Sequence, residues 1–197
     1  MIEVEIKVRI SNPEIIRKKF EEKNGVYKIS LEHEDTYYNL PIGLRDFKRT
    51  DEALRLRKSV EFNKNNENKE RKINFYITYK GKKMDKSTKT REEIDIKIDD
   101  IESMKLLFKE LGFRDIFTIR KVRELYEFEY EDYQIEALID YIPILEQYFI
   151  EVEYLSDSSE KLNDIREVLF EFLSLFGIKR EQSIKKSYLE LILENYK

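Results

Sequence analysis

Charged side chains stand on alternate positions of several strand-like segments, beginning with the first residues of the chain. Residues 2–10 alternate isoleucine or valine with Glu3, Glu5, Lys7 and Arg9. Alternate residues of a β-strand lie on the same face of a sheet, so these four charges share one face. Glutamates bind hard divalent cations through oxygen, and lysine and arginine bind anions. The segment therefore predicts a sheet face that holds an anion together with a metal ion.

Seven further segments are predicted to be strands, and most of them repeat this alternation. They lie around residues 33–39, 53–60, 73–80, 89–98, 117–128, 133–140 and 149–155. With the first strand included, the bases on the charged faces are Lys7, Arg55, Arg57, Lys80, Arg91, Lys121 and Arg123. The acids on the same faces are Glu3, Glu5, Glu93, Asp140, Glu151 and Glu153. Glu92 has the opposite parity to Glu93, and the sequence leaves open which of the two faces the other charges.

Two interpretations of these charged faces follow from the alternation alone. A single strand of this kind is typical of an antiparallel sheet that turns one face to water. Several such strands also fit a closed barrel of about eight strands, whose interior is wide enough for side chains or one small ligand. Buried like charges are costly without counter-charges, so such an interior would require both an anion and a cation. A polyphosphate held by arginine and lysine, with a divalent metal held by glutamate, meets both requirements.

Helices between the strands complete the expected α+β fold, with a large antiparallel sheet and helices outside it. Capping residues and apolar stripes predict helices from Asn12-Pro13 to Gly25, from Asp99 or Asp100 to Gly112, from residues 156–158 to Gly177, and over residues 188–193. Two polar segments, 62–70 and 82–89, are predicted to be loops. Because no Pro-, Gly- or Ser-rich linker divides the chain, we expect one domain over residues 1–197.

The composition narrows the classes of function. The 197 residues include 37 Lys and Arg against 41 Asp and Glu, whereas nucleic-acid-binding proteins usually have a basic excess. Because the chain has no cysteine, a metal would be bound by carboxylate oxygens, which favours Mg²⁺ or Mn²⁺. No apolar run approaches the roughly 20 residues of a membrane span, and residues 1–10 do not resemble a signal peptide. We therefore expect a cytoplasmic protein that binds neither membrane nor nucleic acid.

An ordered set of motifs resembles the CYTH superfamily, the triphosphate tunnel metalloenzymes. The set begins with Glu3-x-Glu5-x-Lys7 and spans nearly the whole chain. Its later members are Glu34-Asp35-Thr36-Tyr37-Tyr38, Ala53-Leu54-Arg55-Leu56-Arg57, Thr78-Tyr79-Lys80-Gly81, Thr90-Arg91-Glu92-Glu93, Lys121-Val122-Arg123, Asp140 followed by Phe149-Ile150-Glu151-Val152-Glu153, and Ser187-Tyr188-Leu189-Glu190-Leu191. The resemblance implies an eight-stranded antiparallel tunnel that binds a small-molecule triphosphate with Mg²⁺ or Mn²⁺ as cofactor.

The resemblance also implies roles for the charged residues. Phosphate contacts would come from Lys7, Arg55, Arg57, Lys80, Lys121 and Arg123, with Arg91 as a further phosphate contact or a partner of the acids. Metal ligands would be Glu3, Glu5, Glu151 and Glu153, with Glu93 and Asp140 as further candidates. Catalysis would involve Lys7, Glu5 and Glu153. Because acids neighbour Lys7 in the sequence, we expect its pKa to be raised and its role to be phosphate contact rather than general base.

The motifs are most similar to those of class IV adenylyl cyclases, which form cyclic AMP and pyrophosphate from ATP. These cyclases carry a His-Phe pair upstream of the first motif, which has no counterpart before Glu3 here. Their Leu-Gly-x-Phe turn is replaced by Leu145-Glu146-Gln147-Tyr148-Phe149. A triphosphatase acting on tripolyphosphate, a nucleoside triphosphate or thiamine triphosphate is therefore the alternative, and a non-catalytic polyphosphate sensor is a third. A homodimer formed through an outer helix is also left open.

Overall fold

Eight antiparallel strands form a closed barrel in the computed structural model, which describes residues 2–65, 71–84 and 88–195. The strands are β1 (Ile2–Ile10), β2 (Val26–Asn39), β3 (Ala53–Phe62), β4 (Lys72–Lys80), β5 (Arg91–Ile98), β6 (Arg114–Tyr130), β7 (Tyr133–Ile142) and β8 (Gln147–Ser156). Their order around the barrel is β1-β5-β4-β3-β2-β6-β7-β8. The predicted α+β class and the closed eight-stranded barrel are both confirmed.

Most helices pack on the outside of the barrel, whereas the C-terminal helix packs against Ile119, Ile142 and Phe149, which have the parity of the interior residues. Those in the described ranges are α1 (Pro13–Glu22), α2 (Phe47–Thr50), α3 (Ile101–Glu110), α4 (Leu162–Ser174) and α5 (Tyr188–Asn195). The sequence predicted all of these except α2, a single turn whose first residues are capped by Asp46, because the Asp46 side chain accepts a hydrogen bond from the Lys48 amide. None of the described helices is long and apolar enough to cross a membrane.

The apolar face of the sheet points outward, toward these helices. Phe20 of α1 is fully buried and makes edge-to-face contacts with Tyr126 and Phe128 of β6 and with Phe176, which follows α4. Ile6 of β1 belongs to the same core. Successive side chains of a strand alternate between the two faces, so the charged positions of the strands point into the barrel. The outer core thus fixes which side chains line the interior.

The barrel is closed unevenly around β1. Along one edge β1 pairs with β8 over its whole length, whereas along the other it pairs with β5 only at Ile2 and Glu3. Beyond Glu3, the Lys89 amide donates to the Glu5 carbonyl, and the Ile184 amide donates to the Lys7 carbonyl. Two non-strand segments therefore complete the wall at this edge, and each of them brings side chains toward the interior.

Several strand boundaries differ from the prediction by one to three residues, and the start of β2 differs most. β2 begins at Val26 rather than near residue 33, because residues 26–32 pair with the long strand β6. A register shift between Tyr27 and Ile29 breaks the two-residue period there, so alternation in the sequence does not reveal this part of the strand. β5 begins at Arg91 rather than at residue 89. The predicted loops 62–70 and 82–89 lie partly outside the described residues, which omit 66–70 and 85–87.

Replacing Phe20 by alanine tests the outer core. Because the ring is fully buried among aromatic side chains, Phe20→Ala should lower the free energy of unfolding by about 3–5 kcal/mol. Ile15 lies on the same helix with an exposure of 53%, so Ile15→Ala should change it by no more than about 0.5 kcal/mol. Denaturant unfolding of both variants measures the difference, and equal losses would contradict the assigned core.

Candidate active site

The barrel encloses a cavity of 740 Å³ lined by charged side chains. Of the residues that the sequence singled out, those at the cavity wall are Glu3, Glu5, Arg55, Arg57, Lys80, Arg91, Glu93, Lys121, Arg123, Glu151 and Glu153. Lys7 and Asp140 are fully buried behind this wall. The barrel therefore gathers the predicted site residues from seven of its strands and leaves none of them on the outer surface.

Three glutamates form an acidic cluster at one side of the cavity. Glu3 and Glu5 lie on β1, and Glu153 lies on β8 directly opposite Glu5. One carboxylate oxygen from each lies within 4.8 Å of the others. Burial and the neighbouring charge of Glu3 raise the pKa of Glu153 well above its ordinary value, and burial and Glu151 raise the pKa of Glu5. Converging oxygen donors that repel one another fit a hard divalent cation.

Lys80 and Arg55 lie beside this acidic cluster. The Lys80 ammonium group lies 2.7 Å from a carboxylate oxygen of Glu3 and 2.8 Å from one of Glu93. Arg55 lies 3.9 Å from Glu93. Glu92, by contrast, is exposed. Glu93 is therefore the member of the pair that faces the tunnel, and it is held there by bases.

Asp35 holds the two arginines of β3. Arg57 donates two hydrogen bonds to its carboxylate, at 2.6 and 2.7 Å, and Arg55 lies 3.5 Å away. Burial alone would raise the pKa of Asp35, but the guanidinium groups of Arg57 and Arg55 outweigh burial and hold it well below its ordinary value. Sequence reasoning did not count Asp35 among the site residues. The alternation could have identified it, because Asp35 lies on the same face of its strand as Tyr37, and both residues line the cavity.

Asp140 is surrounded by donors rather than by other acids. Arg123 donates two hydrogen bonds of 2.7 Å to its carboxylate, Lys121 donates one of 3.1 Å, and the Tyr188 hydroxyl donates one of 2.9 Å. Burial and Arg123 lower the pKa of Lys121 to about 8. The structure thus places Asp140 where it orients two bases of the tunnel wall.

Glu151 lies between the acidic cluster and these bases. Arg123 donates a short hydrogen bond to it, Lys89 lies 3.3 Å away and Lys7 lies 3.6 Å away. Burial works to raise the pKa of Glu151, but Lys89 and Arg123 hold it well below its ordinary value. Three basic side chains therefore surround this carboxylate, in contrast to Glu153.

Lys89 is a site residue that sequence reasoning missed. It lies just before β5, and its ammonium group is 2.5 Å from a Glu5 oxygen and 3.3 Å from a Glu151 oxygen. Burial lowers its pKa, but Glu5 and Glu151 outweigh burial and raise it above its ordinary value. Lys89 has the same parity as Arg91 and Glu93, so extending the alternation by one step would have found it.

Lys7 differs from its expected electrostatic state. The acids beside it in the sequence predicted a raised pKa, whereas burial and the neighbouring charge of Lys89 lower its pKa well below the ordinary value. That prediction was wrong because Lys7 is completely buried and because Lys89 reaches the site from a segment far away in the chain. The Lys7 ammonium nitrogen lies 3.9 Å from the centre of the Tyr188 ring.

Arg91, another predicted phosphate contact, is also buried, and its guanidinium group donates a hydrogen bond to the Gly81 carbonyl at 3.4 Å.

Comparisons with known proteins agree with this architecture. The family model of the CYTH domain matches residues 1–188. A protein of Methanocaldococcus jannaschii named "Putative adenylate cyclase MJ0240" is 42% identical over 193 residues, which cover 97% of this chain and 98% of that protein. Among solved structures, the PH1819 protein of Pyrococcus horikoshii OT3 is 34% identical with a TM-score of 0.83, covering 98% of this chain and 99% of that one.

A more distant structure shares the fold. The adenylyl cyclase-like protein HpAC1 of Hippeastrum, described as having a dominant triphosphatase activity, is 18% identical with a TM-score of 0.62. The match covers 98% of this chain and 96% of that protein. The closed barrel, its charged interior and a family match that extends over nearly the whole sequence lead to one conclusion: the chain belongs to the CYTH domain family, the triphosphate tunnel enzymes.

Proposed function

We propose that this chain is a divalent-metal-dependent enzyme that acts on a nucleoside triphosphate in its tunnel, and that its reaction is the conversion of ATP to cyclic AMP and pyrophosphate. The observation that carries the proposal is the joining of an acidic cluster, Glu3, Glu5 and Glu153, to a wall of lysines and arginines in one cavity. Such a cavity can bind a polyanion and the cation that accompanies it.

The acidic cluster is the proposed metal site. Its donors are all carboxylate oxygens, which suits Mg²⁺ or Mn²⁺. When bound, the metal would neutralise phosphate oxygens and the leaving group. Glu93, Glu151 and Asp140, which the sequence also suggested as ligands, are each held by bases in the structure. We assign these three acids the role of orienting the bases that contact phosphate.

The bases of the wall would bind the phosphate chain. Arg55 and Arg57 are held in place by Asp35, and Lys121 and Arg123 are held by Asp140. Lys7, Lys80 and Arg91 complete the set of expected phosphate contacts. Donors that are fixed before the substrate arrives stabilise developing negative charge without reorganising during the reaction. Carboxylate partners of this kind therefore support catalysis by positioning.

The mouth of the cavity favours a substrate with an organic group. Besides charged residues, the cavity wall includes Tyr37, Phe47, Ile116, Leu189 and Leu193. Its volume of 740 Å³ falls in the range typical of pockets for drug-sized ligands, so it can take more than a phosphate chain. A nucleoside held here would present its 3′ hydroxyl to the α-phosphorus. The hydroxyl oxygen then forms the new P–O bond, the bond to pyrophosphate breaks, and the hydroxyl proton passes to solvent.

A triphosphatase is the second candidate. The same fold in HpAC1 of Hippeastrum is described with a dominant triphosphatase activity, while the relative from Methanocaldococcus jannaschii carries a cyclase name. In that reaction a water oxygen attacks the terminal phosphorus and the bond from that phosphorus to the bridging oxygen breaks. The products are orthophosphate and the shortened phosphate chain, and the same residues bind the substrate. The choice of Mg²⁺ or Mn²⁺, the single domain over residues 1–197, the cytoplasmic location and the homodimer stay predictions.

Product analysis tests the reaction directly. The purified protein is incubated with Mg²⁺ or Mn²⁺ and with either ATP or tripolyphosphate, and the products are followed by phosphorus NMR. We expect cyclic AMP and pyrophosphate from ATP. Orthophosphate from either substrate would replace the cyclase by the triphosphatase. Binding without any product would contradict both reactions and favour a sensor.

Replacing Glu153 by glutamine tests the metal site. Glu153→Gln removes one charge from the acidic cluster at nearly constant shape, so metal-dependent turnover should be lost. The metal affinity should fall by at least about 10–100-fold, the loss typical when even an outer partner of a metal is removed. Glu92→Gln is the matched control, because Glu92 is exposed and points away from the tunnel.

Calorimetric titration with Mn²⁺ and a turnover assay measure the two effects, and circular dichroism checks that both variants fold. Unchanged metal affinity and turnover in Glu153→Gln would contradict the assignment of the acidic cluster as the metal site.

A further inference from the structure

Lys89 lies between two carboxylates, and only one of them belongs to the proposed metal site. Its ammonium group contacts Glu5, which belongs to the acidic cluster, and Glu151, which does not. Its side chain is only 8% exposed. Glu5 therefore faces the acidic cluster on one side and a lysine on the other.

Four glutamates lie on the inner faces of the paired strands β1 and β8. Glu5 and Glu153 are directly paired across the two strands, and Glu151 follows two residues earlier on β8, opposite Lys7. Enzymes that transfer phosphoryl groups often bind two divalent ions about 3.5–4 Å apart, bridged by shared ligands. Glu5 would be the shared ligand here, and the second position is the one between Glu5 and Glu151. That position already holds a cation of the protein itself.

We propose that the ammonium group of Lys89 takes the place of a second divalent ion, so that the tunnel of this protein binds one divalent ion instead of two. This inference rests on the metal site of the proposed function, because it assumes that Glu3, Glu5 and Glu153 bind the first ion. A lysine with an ordinary pKa near 10.4 carries one positive charge at neutral pH and donates three hydrogen bonds. It can therefore bridge Glu5 and Glu151 and offset one of their two negative charges at a place where a metal would otherwise be needed.

The backbone around Lys89 keeps its side chain at this position. The Lys89 amide donates to the Glu5 carbonyl at 3.0 Å, which continues the edge of β1 beyond its pairing with β5. The carbonyl of the next residue, Thr90, accepts from the Met84 amide at 2.8 Å. The backbone hydrogen bond to Glu5 keeps the main chain of Lys89 beside the same residue whose carboxylate its side chain contacts. Lys89 is thus placed within reach of both carboxylates.

Counting bound Mn²⁺ in two variants tests the inference. Lys89→Met removes the charge and keeps a side chain of similar length, so Mn²⁺ should fill the second position. Lys83→Met is the matched control, since Lys83 lies on the same segment but pairs with Asp51 and Glu190 near the mouth. Electron paramagnetic resonance with Mn²⁺ alone, without substrate, measures both the number of ions and the magnetic coupling between them.

We expect one uncoupled Mn²⁺ in the wild type and in Lys83→Met, and two coupled ions in Lys89→Met. A single ion in Lys89→Met, or a coupled pair in the wild type, would overturn the role of Lys89 and leave the metal site of the proposed function intact. No Mn²⁺ bound to the wild type would overturn that metal site, and the inference with it. If Lys89→Met does not fold, titration of the wild type to saturating Mn²⁺ still decides, because a second coupled ion there contradicts the inference.

Discussion

Charge compensation inside the barrel is the constraint on which the rest of the structure depends. Removing a charged side chain from water costs several kcal/mol unless an opposite charge and further hydrogen bonds replace the water. Asp35 meets this requirement for Arg55 and Arg57, and Asp140 meets it for Lys121 and Arg123. The compensation is incomplete at Glu153, whose pKa is raised well above its ordinary value by burial and Glu3. The interior therefore carries fixed bases for an anion and an acidic corner for a cation.

The outer core and the irregular closure of the barrel together produce this arrangement. Aromatic contacts such as those of Phe20 hold the apolar faces of the strands against the helices, and the charged faces then have no place except the interior. The short pairing between β1 and β5 leaves an edge that non-strand segments complete. Those segments deliver Lys89 and Tyr188 to the site, so the gap in strand pairing is the source of two of its side chains.

Much of the site could be predicted from the alternation of charged and apolar residues, and each failure has a specific structural reason. Every predicted site residue on a charged strand face, from Glu3 to Glu153, lies at or behind the cavity wall, whereas Arg9 on the same face of the first strand is exposed. The start of β2 was missed because a register shift at Tyr27 hides its period. Lys89 was missed although it shares the parity of Arg91 and Glu93. The direction of the pKa shift of Lys7 was predicted wrongly because the sequence shows neither its complete burial nor the approach of Lys89. The contacts of Lys89 depend on how the barrel closes along the edge of β1, and a pattern within one segment of the sequence does not reveal that.

The most direct test of the central claim is the location of a metal and a triphosphate in a crystal of the protein grown with Mn²⁺ and tripolyphosphate. Anomalous diffraction near the manganese edge should place an ion among the carboxylates of Glu3, Glu5 and Glu153. The phosphate chain should lie in the cavity against the bases of β3 and β6. Manganese bound elsewhere, or tripolyphosphate bound only on the outer surface of the barrel, would contradict the assignment of the interior as the active site.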